Sequence, residues 1–463
     1  MTTPTGQPAD PLSLLRTRGY LALLVLAAIL GVPIAAIAYG FLKLVDVLQE
    51  AVFTHLPSGL GFDGEPLWWP LLPLALAGVL VALAIRYLPG TGGHSPADGL
   101  KTRGAPTPDQ IPGVFLAALA TLALGAVLGP EAPLIALGGG LAVLAVHFAK
   151  RDMPAQTIAV VGAAGSFAAI ATLFGSPIPA AFLLMEAASL GGAMLDIVLL
   201  PGLLAAGVGA LIFVGLDAWT GFGTFSLAIP NLPPYSHPDL AQFGWAFVLA
   251  PAAAIIGTVI HRLALAIRPY VERRIVVLTP VAGLAVAGLA IAYAAATGKE
   301  SSEVLFSGQS ALPTFVDQAS SYSVGALLML LLCKSLAYGV SLSSFRGGPV
   351  FPAMFIGAVG GVAMSHLPGL PLVPAVAMGI GAMSVTMLRL PLTSVLLATL
   401  LLASDGLAVT PLVIVAVVVA YIVAARIAPP TDTSPAAESA PTPAAQEAAA
   451  PTPDAAPATG TVR

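Results

Sequence analysis

Glu131 stands between two prolines in Gly129-Pro130-Glu131-Ala132-Pro133, an acid at the head of an apolar run with no basic residue beside it. A carboxylate at membrane depth costs ~2.5–3.5 kcal/mol on insertion scales, which makes it a functional candidate by default. A proline at the first helical position gives up no intrahelical hydrogen bond and already has a helical φ. The spacing therefore predicts a helix starting at Pro130, with the amides of Glu131 and Ala132 lacking intrahelical partners at the positive end of the helix dipole. The same skeleton, G-P-x-x-P-x4-G, recurs at Gly348-Pro349-Val350-Phe351-Pro352, ending on Gly357 as the first copy ends on Gly138. A second helix is predicted from Pro349, presenting the amides of Val350 and Phe351. Two such ends aimed at one point in a low-dielectric interior bind an anion without any basic side chain. An ionised Glu131 would compete with a permeating anion for those amides; a protonated one would leave them and could carry a proton. The plainer reading of Glu131 is a first-turn acid favoured by the dipole.

Composition says where this chemistry must take place. Of 463 residues, 57% are hydrophobic and 9% charged, with a mean hydropathy of +0.95; soluble proteins carry about a quarter charged residues. The chain reads as an all-α polytopic membrane protein whose partners include the lipid bilayer. A net charge of −4 without a Lys/Arg-rich block excludes the basic footprint that nucleic acid requires. Cys333 alone can form neither an internal disulfide nor a thiolate cluster, and the histidines show no metal-ligand spacing, so no metal or cofactor is expected.

The apolar runs predict spans, several too short to cross ~30 Å of hydrocarbon. They are cut at Gly129-Pro130, Gly175-Ser176-Pro177, Gly347-Gly348-Pro349 and Pro391. Broken, partly re-entrant helices follow, and exposed backbone at membrane depth is tolerated only inside protein or along a polar pathway. Ser176-Pro177-Ile178 and Leu390-Pro391-Leu392 form a second matched pair of breaks, offset by 214 residues where the first pair is offset by 219. Two structural halves follow, although Gly-Pro pairs also match by chance. The expected organisation is an N-terminal tail over 1–18, a first membrane repeat over 19–216, a connection over 217–241, a second repeat over 242–428, and a Pro/Ala-rich disordered tail over 429–463. The first span is read over 20–41, too long for a signal peptide. Arg16 and Arg18, then Arg86, Lys101 and Arg103, then Arg262 to Arg274, put these ends and both termini on the cytoplasmic side of the plasma membrane, with 217–241 on the other. Trp68 and Trp69 are read as an interfacial aromatic belt.

With these residues in place, the chain resembles the CLC chloride channels and proton/chloride exchangers. Gly129 to Pro133 is similar to their G-[KR]-E-G-P gating motif, and Gly348 to Pro352 to their G-x-F-x-P anion motif. Phe174-Gly175-Ser176-Pro177-Ile178 resembles the F-x-A-P-[IL] element and Arg389-Leu390-Pro391-Leu392-Thr393 the R-A-P-L-T element, while Gly92 to Leu100 sits where G-S-G-I-P belongs. The resemblance spans about residues 20 to 425 and rests on the ordered set. It implies a homodimer of subunits built from two inverted repeats, each with its own pathway for chloride or a similar small inorganic anion, with or without proton coupling. Glu131 would be the external gate and Glu186 would lie near the inner acid pair. The anion would be held around Gly129, Ala132, Gly348, Pro349, Val350 and Phe351, with help from Gly93, His94 and Ser95. The departures are specific. Gly93 takes the place of the anion-binding serine, Pro349 has no amide to offer, no tyrosine follows the last long helix, and Ala187 replaces the second inner acid.

Lys334 and Arg346 flank the second loop and are secondary candidates for raising its positive potential, with snorkelling or pairing to Glu303 or Asp317 as the alternative; Arg389 is a third. A competing function keeps the fold but carries fluoride, an organic anion or another small solute. An intramembrane enzyme using Ser166 as nucleophile has no base marked for it, and Gly162 to Ser166 reads as helix packing. The chain is not expected to be an enzyme.

Overall fold

The computed structural model describes residues 16–100, 104–149, 153–190, 193–221, 228–229, 232–235, 237–402 and 406–427. The C-terminal tail and most of the N-terminal one lie outside the described residues, as does part of the 217–241 connection. In the first half the helices are α1 (Arg18–Glu50), α2 (Leu71–Tyr87), α3 (Ile111–Ala123), α4 (Glu131–Ala149), α5 (Ala155–Phe174), α6 (Pro177–Ala187) and α7 (Ala193–Thr220). In the second half they are α8 (Leu240–Arg273), α9 (Ile275–Thr297), α10 (Val324–Ser344), α11 (Val350–Met364), α12 (Leu372–Leu388), α13 (Pro391–Leu401) and α14 (Gly406–Ile427).

Local chemistry explains the ends. The Thr17 hydroxyl accepts the Tyr20 N–H at 3.2 Å to start α1, and Asp239 with Gln242 forms a reciprocal capping box at the start of α8. The first helix does not stop near residue 41. It continues to Glu50 and then through a π-turn at Ala51–His55, because Lys43 and Asp46, one turn apart at 3.4 Å, keep its charges on the helix surface. Trp69 is not part of a belt. It is buried and donates its indole N–H to the Val52 carbonyl in that π-turn at 3.0 Å, leaving Trp68 as the exposed member of the pair.

Among the described residues, eight helices are long and apolar enough to cross a membrane. Others are too short: α6 and α13 have 11 residues each and α11 has 15, against about 20 for a full span. Both α6 and α13 begin at a proline, each just after a left-handed residue, Gly175 at φ +63° and Arg389 at φ +61°. The second matched break is thus one backbone conformation used twice.

The two halves pack alike. In the first, α5 lies against α1, α4, α6 and α7; in the second, α12 lies against α8, α11, α13 and α14. The halves join where α2 packs on α9 and α6 meets α13. Inside each half a glycine pair marks a close crossing. A β-carbon on Gly138 would come within 2.5 Å of the Gly165 carbonyl oxygen, and one on Gly379 within 3.1 Å of the Gly357 carbonyl carbon. With no hydrophobic force to separate lipid from side chain, helices in a bilayer associate through such backbone-to-backbone contact.

Gly379→Ala should therefore destabilise the chain by about 1–3 kcal/mol through overpacking. Gly360→Ala, on the same pair of helices but with nothing within 4 Å of the new carbon, should be neutral or stabilising by up to ~1 kcal/mol. Thermal unfolding in detergent compares the two.

Candidate anion site

The chain unwinds between α3 and α4 and again between α10 and α11, and these two loops bond to each other. Gly129 donates to the Gly348 carbonyl at 2.8 Å and Gly348 donates back to Gly129 at 2.6 Å, an antiparallel bridge isolated among the described residues. Two more bonds cross in the same reciprocal sense. The Val127 N–H donates to the Ser341 hydroxyl at 3.1 Å, and the Arg346 N–H to the Thr121 hydroxyl at 3.3 Å. Each half thus supplies one helix hydroxyl that accepts an amide from the other half's loop, meeting the demand that backbone inside a membrane be satisfied.

The bridge brings the two helix starts together. Helices α4 and α11 begin at Glu131 and Val350, one residue after the predicted prolines, a shift within the fraying of any helix end. Glu131 is fully buried. Its Oε1 accepts the Val350 N–H, the first amide of the opposite helix, and the amides of Glu131 and Phe351 also face the carboxylate. Oε2 is buried without a partner. Gly129 and Gly348 leave the space that the carboxylate fills: a β-carbon on Gly129 would lie 2.7 Å from the Glu131 carboxyl carbon and one on Gly348 would collide with the same side chain, so either would displace it. Pro349, which has no N–H, instead uses its carbonyl to accept the Tyr338 hydroxyl at 2.8 Å. Phe351 is buried against Phe174, ring centres 6.0 Å apart.

The first-half segment expected to assist is reached through Arg346. Its Nε donates to the Thr91 carbonyl at 3.2 Å, just before Gly93, His94 and Ser95. The Gly93 amide is occupied within its own turn, donating to Gly90 at 2.9 Å. Four consecutive residues, Gly90 to Gly93, have positive φ, which folds this segment tightly under α3.

Against known proteins, residues 90–425 match the family model described as voltage gated chloride channel. The chain belongs to this family. It is 29% identical over 372 residues to the "Putative ion-transport protein YfeO" of Salmonella typhimurium, covering 77% of this chain and 84% of that one. Its fold is similar to a slow cyanobacterial Cl−/H+ antiporter (TM-score 0.70, 19% identity, 87% and 94% of the two chains) and a CLC-type fluoride/proton antiporter (0.64, 20%, 87% and 95%). A eukaryotic CLC transporter is also similar (0.63, 16%, 88% and 72%).

Within this CLC chain the remaining candidates are not brought to Glu131. The Glu186 carboxylate caps the start of α13, accepting the Leu392 N–H at 3.0 Å, the Thr393 N–H at 2.8 Å and the Thr393 hydroxyl at 2.6 Å. Lys334 pairs with neither Asp317 nor the Glu303 carboxylate. Its buried ammonium donates to the backbone carbonyls of Glu303, Val304 and Leu305 at 2.9–3.1 Å and sits 4.4 Å from the Phe355 ring centre. Arg389 closes α12 and donates to the Ala424 carbonyl at 3.4 Å. The Ser166 hydroxyl lies 2.8 Å from the Ile135 carbonyl oxygen, bridging α5 to α4. Tyr338 is the residue the sequence did not single out. Fully buried and tied to the Pro349 carbonyl, it supports the second loop, and only its place as an isolated phenol among the small residues of α10 hinted at that.

Removing the cap on α13 has a readable cost. Glu186→Ala should lower stability by about 1–2 kcal/mol, seen as earlier thermal unfolding in detergent, with Glu186→Gln losing less because its amide oxygen still accepts one N–H.

Proposed function

We propose that this CLC protein carries a small inorganic anion, chloride or one like it, with Glu131 as gate and proton carrier. One observation supports this above the others: a buried carboxylate from one half occupies the first amide of the helix that starts in the other. A group that accepts a hydrogen bond from that amide as an anion stands in for the permeating ion. Protonation of Glu131 removes the charge that matches the helix dipole, frees the Val350 amide for an incoming anion, and lets the side chain carry its proton away. The Cl−/H+ and fluoride/proton antiporters of similar fold support exchange for protons. Glu186, with both oxygens engaged in a helix cap, contributes through structure, so Glu131 carries the proton step.

Gly93 offers no hydroxyl and Pro349 no amide, and these two losses favour fluoride as the second reading, since a small, strongly hydrated anion needs different partners. On the proposed reading the protein is a homodimer in the plasma membrane, with both termini cytoplasmic. Ile178 and Leu392, in matching positions at the starts of α6 and α13, both expose apolar surface and support association of two copies through that side.

In reconstituted vesicles with chloride and proton movement recorded together, Glu131→Gln should abolish proton movement while anion flux persists, and Glu131→Ala should give anion flux that no longer depends on pH. Competition by fluoride separates the two substrate readings. Folded protein that passes no chloride, nitrate or fluoride would overturn the proposal.

A further inference from the structure

A groove of about 500 Å³ runs along the outside of the molecule between α2 and α3. Val52, whose carbonyl holds the Trp69 indole, lines it beside the start of α2, and Tyr87 and Leu88 line it at the other end of that helix. Its walls are Leu, Val and Ala side chains and the one tyrosine. The groove opens outward, since Leu76, Leu80, Leu83 and Leu116 along it are 40–50% exposed, and on a membrane protein such a surface faces hydrocarbon. From Leu76 to Leu88 the chain rises about 18 Å, close to the ~15 Å of hydrocarbon in one leaflet. One acyl chain fits that length. The Tyr87 end also carries a charge. The Arg86 guanidinium lies 5.7 Å from the centre of the Tyr87 ring, is exposed to solvent, and takes part in no ion pair among the described residues. On the orientation proposed above this end is cytoplasmic, the leaflet in which anionic lipids lie.

We propose that the groove between α2 and α3 binds an anionic phospholipid, with one acyl chain along Leu76 to Leu88 and the headgroup phosphate on Arg86. A guanidinium fork matches phosphate oxygens two at a time, and a tyrosine ring with one wet edge suits headgroup depth. A second copy of the chain fits this face poorly, because the lining holds no carboxylate and two copies would bury Arg86 without a counter-charge. The groove on the far side of α3, which shares Leu116, is as apolar, but among the described residues no cation lies on an aromatic ring of its lining. Charge therefore singles out the first. Ala123 and Leu124, which line it, directly precede the loop that runs to Gly129, so a bound lipid packs on the end of the helix that delivers that loop.

The test is native mass spectrometry of the full chain taken from vesicles of equal phosphatidylglycerol and phosphatidylcholine with matched acyl chains. Arg86→Gln should lower the ratio of retained phosphatidylglycerol to phosphatidylcholine roughly fivefold, the worth of one basic residue at a charged membrane surface. Leu80→Trp, which fills the groove without touching the charge, should lose a bound lipid that the parent keeps. Both side chains are exposed, so neither change threatens folding, and thermal unfolding in detergent checks that. An unchanged ratio in Arg86→Gln, an unchanged lipid count in Leu80→Trp, or disulfide cross-linking between two copies of a Leu80→Cys chain would each overturn the lipid site. None of these readouts involves transport, so their failure leaves the function proposed above standing, and a chain that carries no anion leaves the lipid site standing.

Discussion

The exchange of hydrogen bonds between Gly129 and Gly348 is the constraint on which the site depends. It is made of four backbone atoms, yet it fixes where α4 and α11 begin and how far apart their first amides lie. Unwound chain inside a bilayer is tolerated only when its polar groups are met, and here the two loops meet each other, reinforced by the crossed Thr121 and Ser341 hydroxyls. Because each loop satisfies the other, neither can shift alone. Glu131 lies close against both glycines, and in this position its carboxylate faces the opposite helix.

A second regularity concerns charge. The ion pairs among the described residues, such as Lys43 with Asp46 and Arg268 with Asp98, lie at partly exposed positions. Three other charges are met largely by backbone dipoles. Glu131 takes an amide from α11, Glu186 takes two from α13, and Lys334 takes three carbonyls from the turn after Ser301. Pairing a buried acid to a buried base would lock both, since breaking such a pair strands a charge at a cost of several kcal/mol. A carboxylate held by amides can be exchanged for another anion without leaving a fixed cation behind. The arrangement at Glu131 is therefore reversible in a way a salt bridge would not be, and reversible occupancy is what a gate needs.

The sequence carried the repeat because the devices that build it are glycine and proline, whose backbone roles show in their identity. The Gly-Pro starts of α4 and α11, the Gly138 and Gly357 pair, and the prolines opening α6 and α13 all sit at fixed offsets. Their partners Gly165 and Gly379 share the 214-residue offset, so the helix crossings were also there to be read. What did not show was any role set by partner rather than type. Thr121 and Ser341 are different residues doing one job, and nothing local marks either. Lys334 looked like a charge for the anion loop, but its carbonyl partners lie about thirty residues away in a turn with no signature of its own. Arg389 takes a conformation that glycine takes at the matching position, so residue type concealed the correspondence there.

The departures from the family pattern become coherent once Pro349 is seen in place. At the position before Val350 a proline cannot donate, and its carbonyl is turned to the Tyr338 hydroxyl instead. The second loop therefore has one backbone donor fewer at this position, while Tyr338 holds the backbone that carries the next one. On the proposed reading, a site that loses a donor but gains rigidity binds its anion less strongly. The gate, on the same reading, is a backbone contact that an anion must win from the Glu131 carboxylate. Moderate central binding then favours throughput, because conduction requires a site that an ion can leave as readily as it enters.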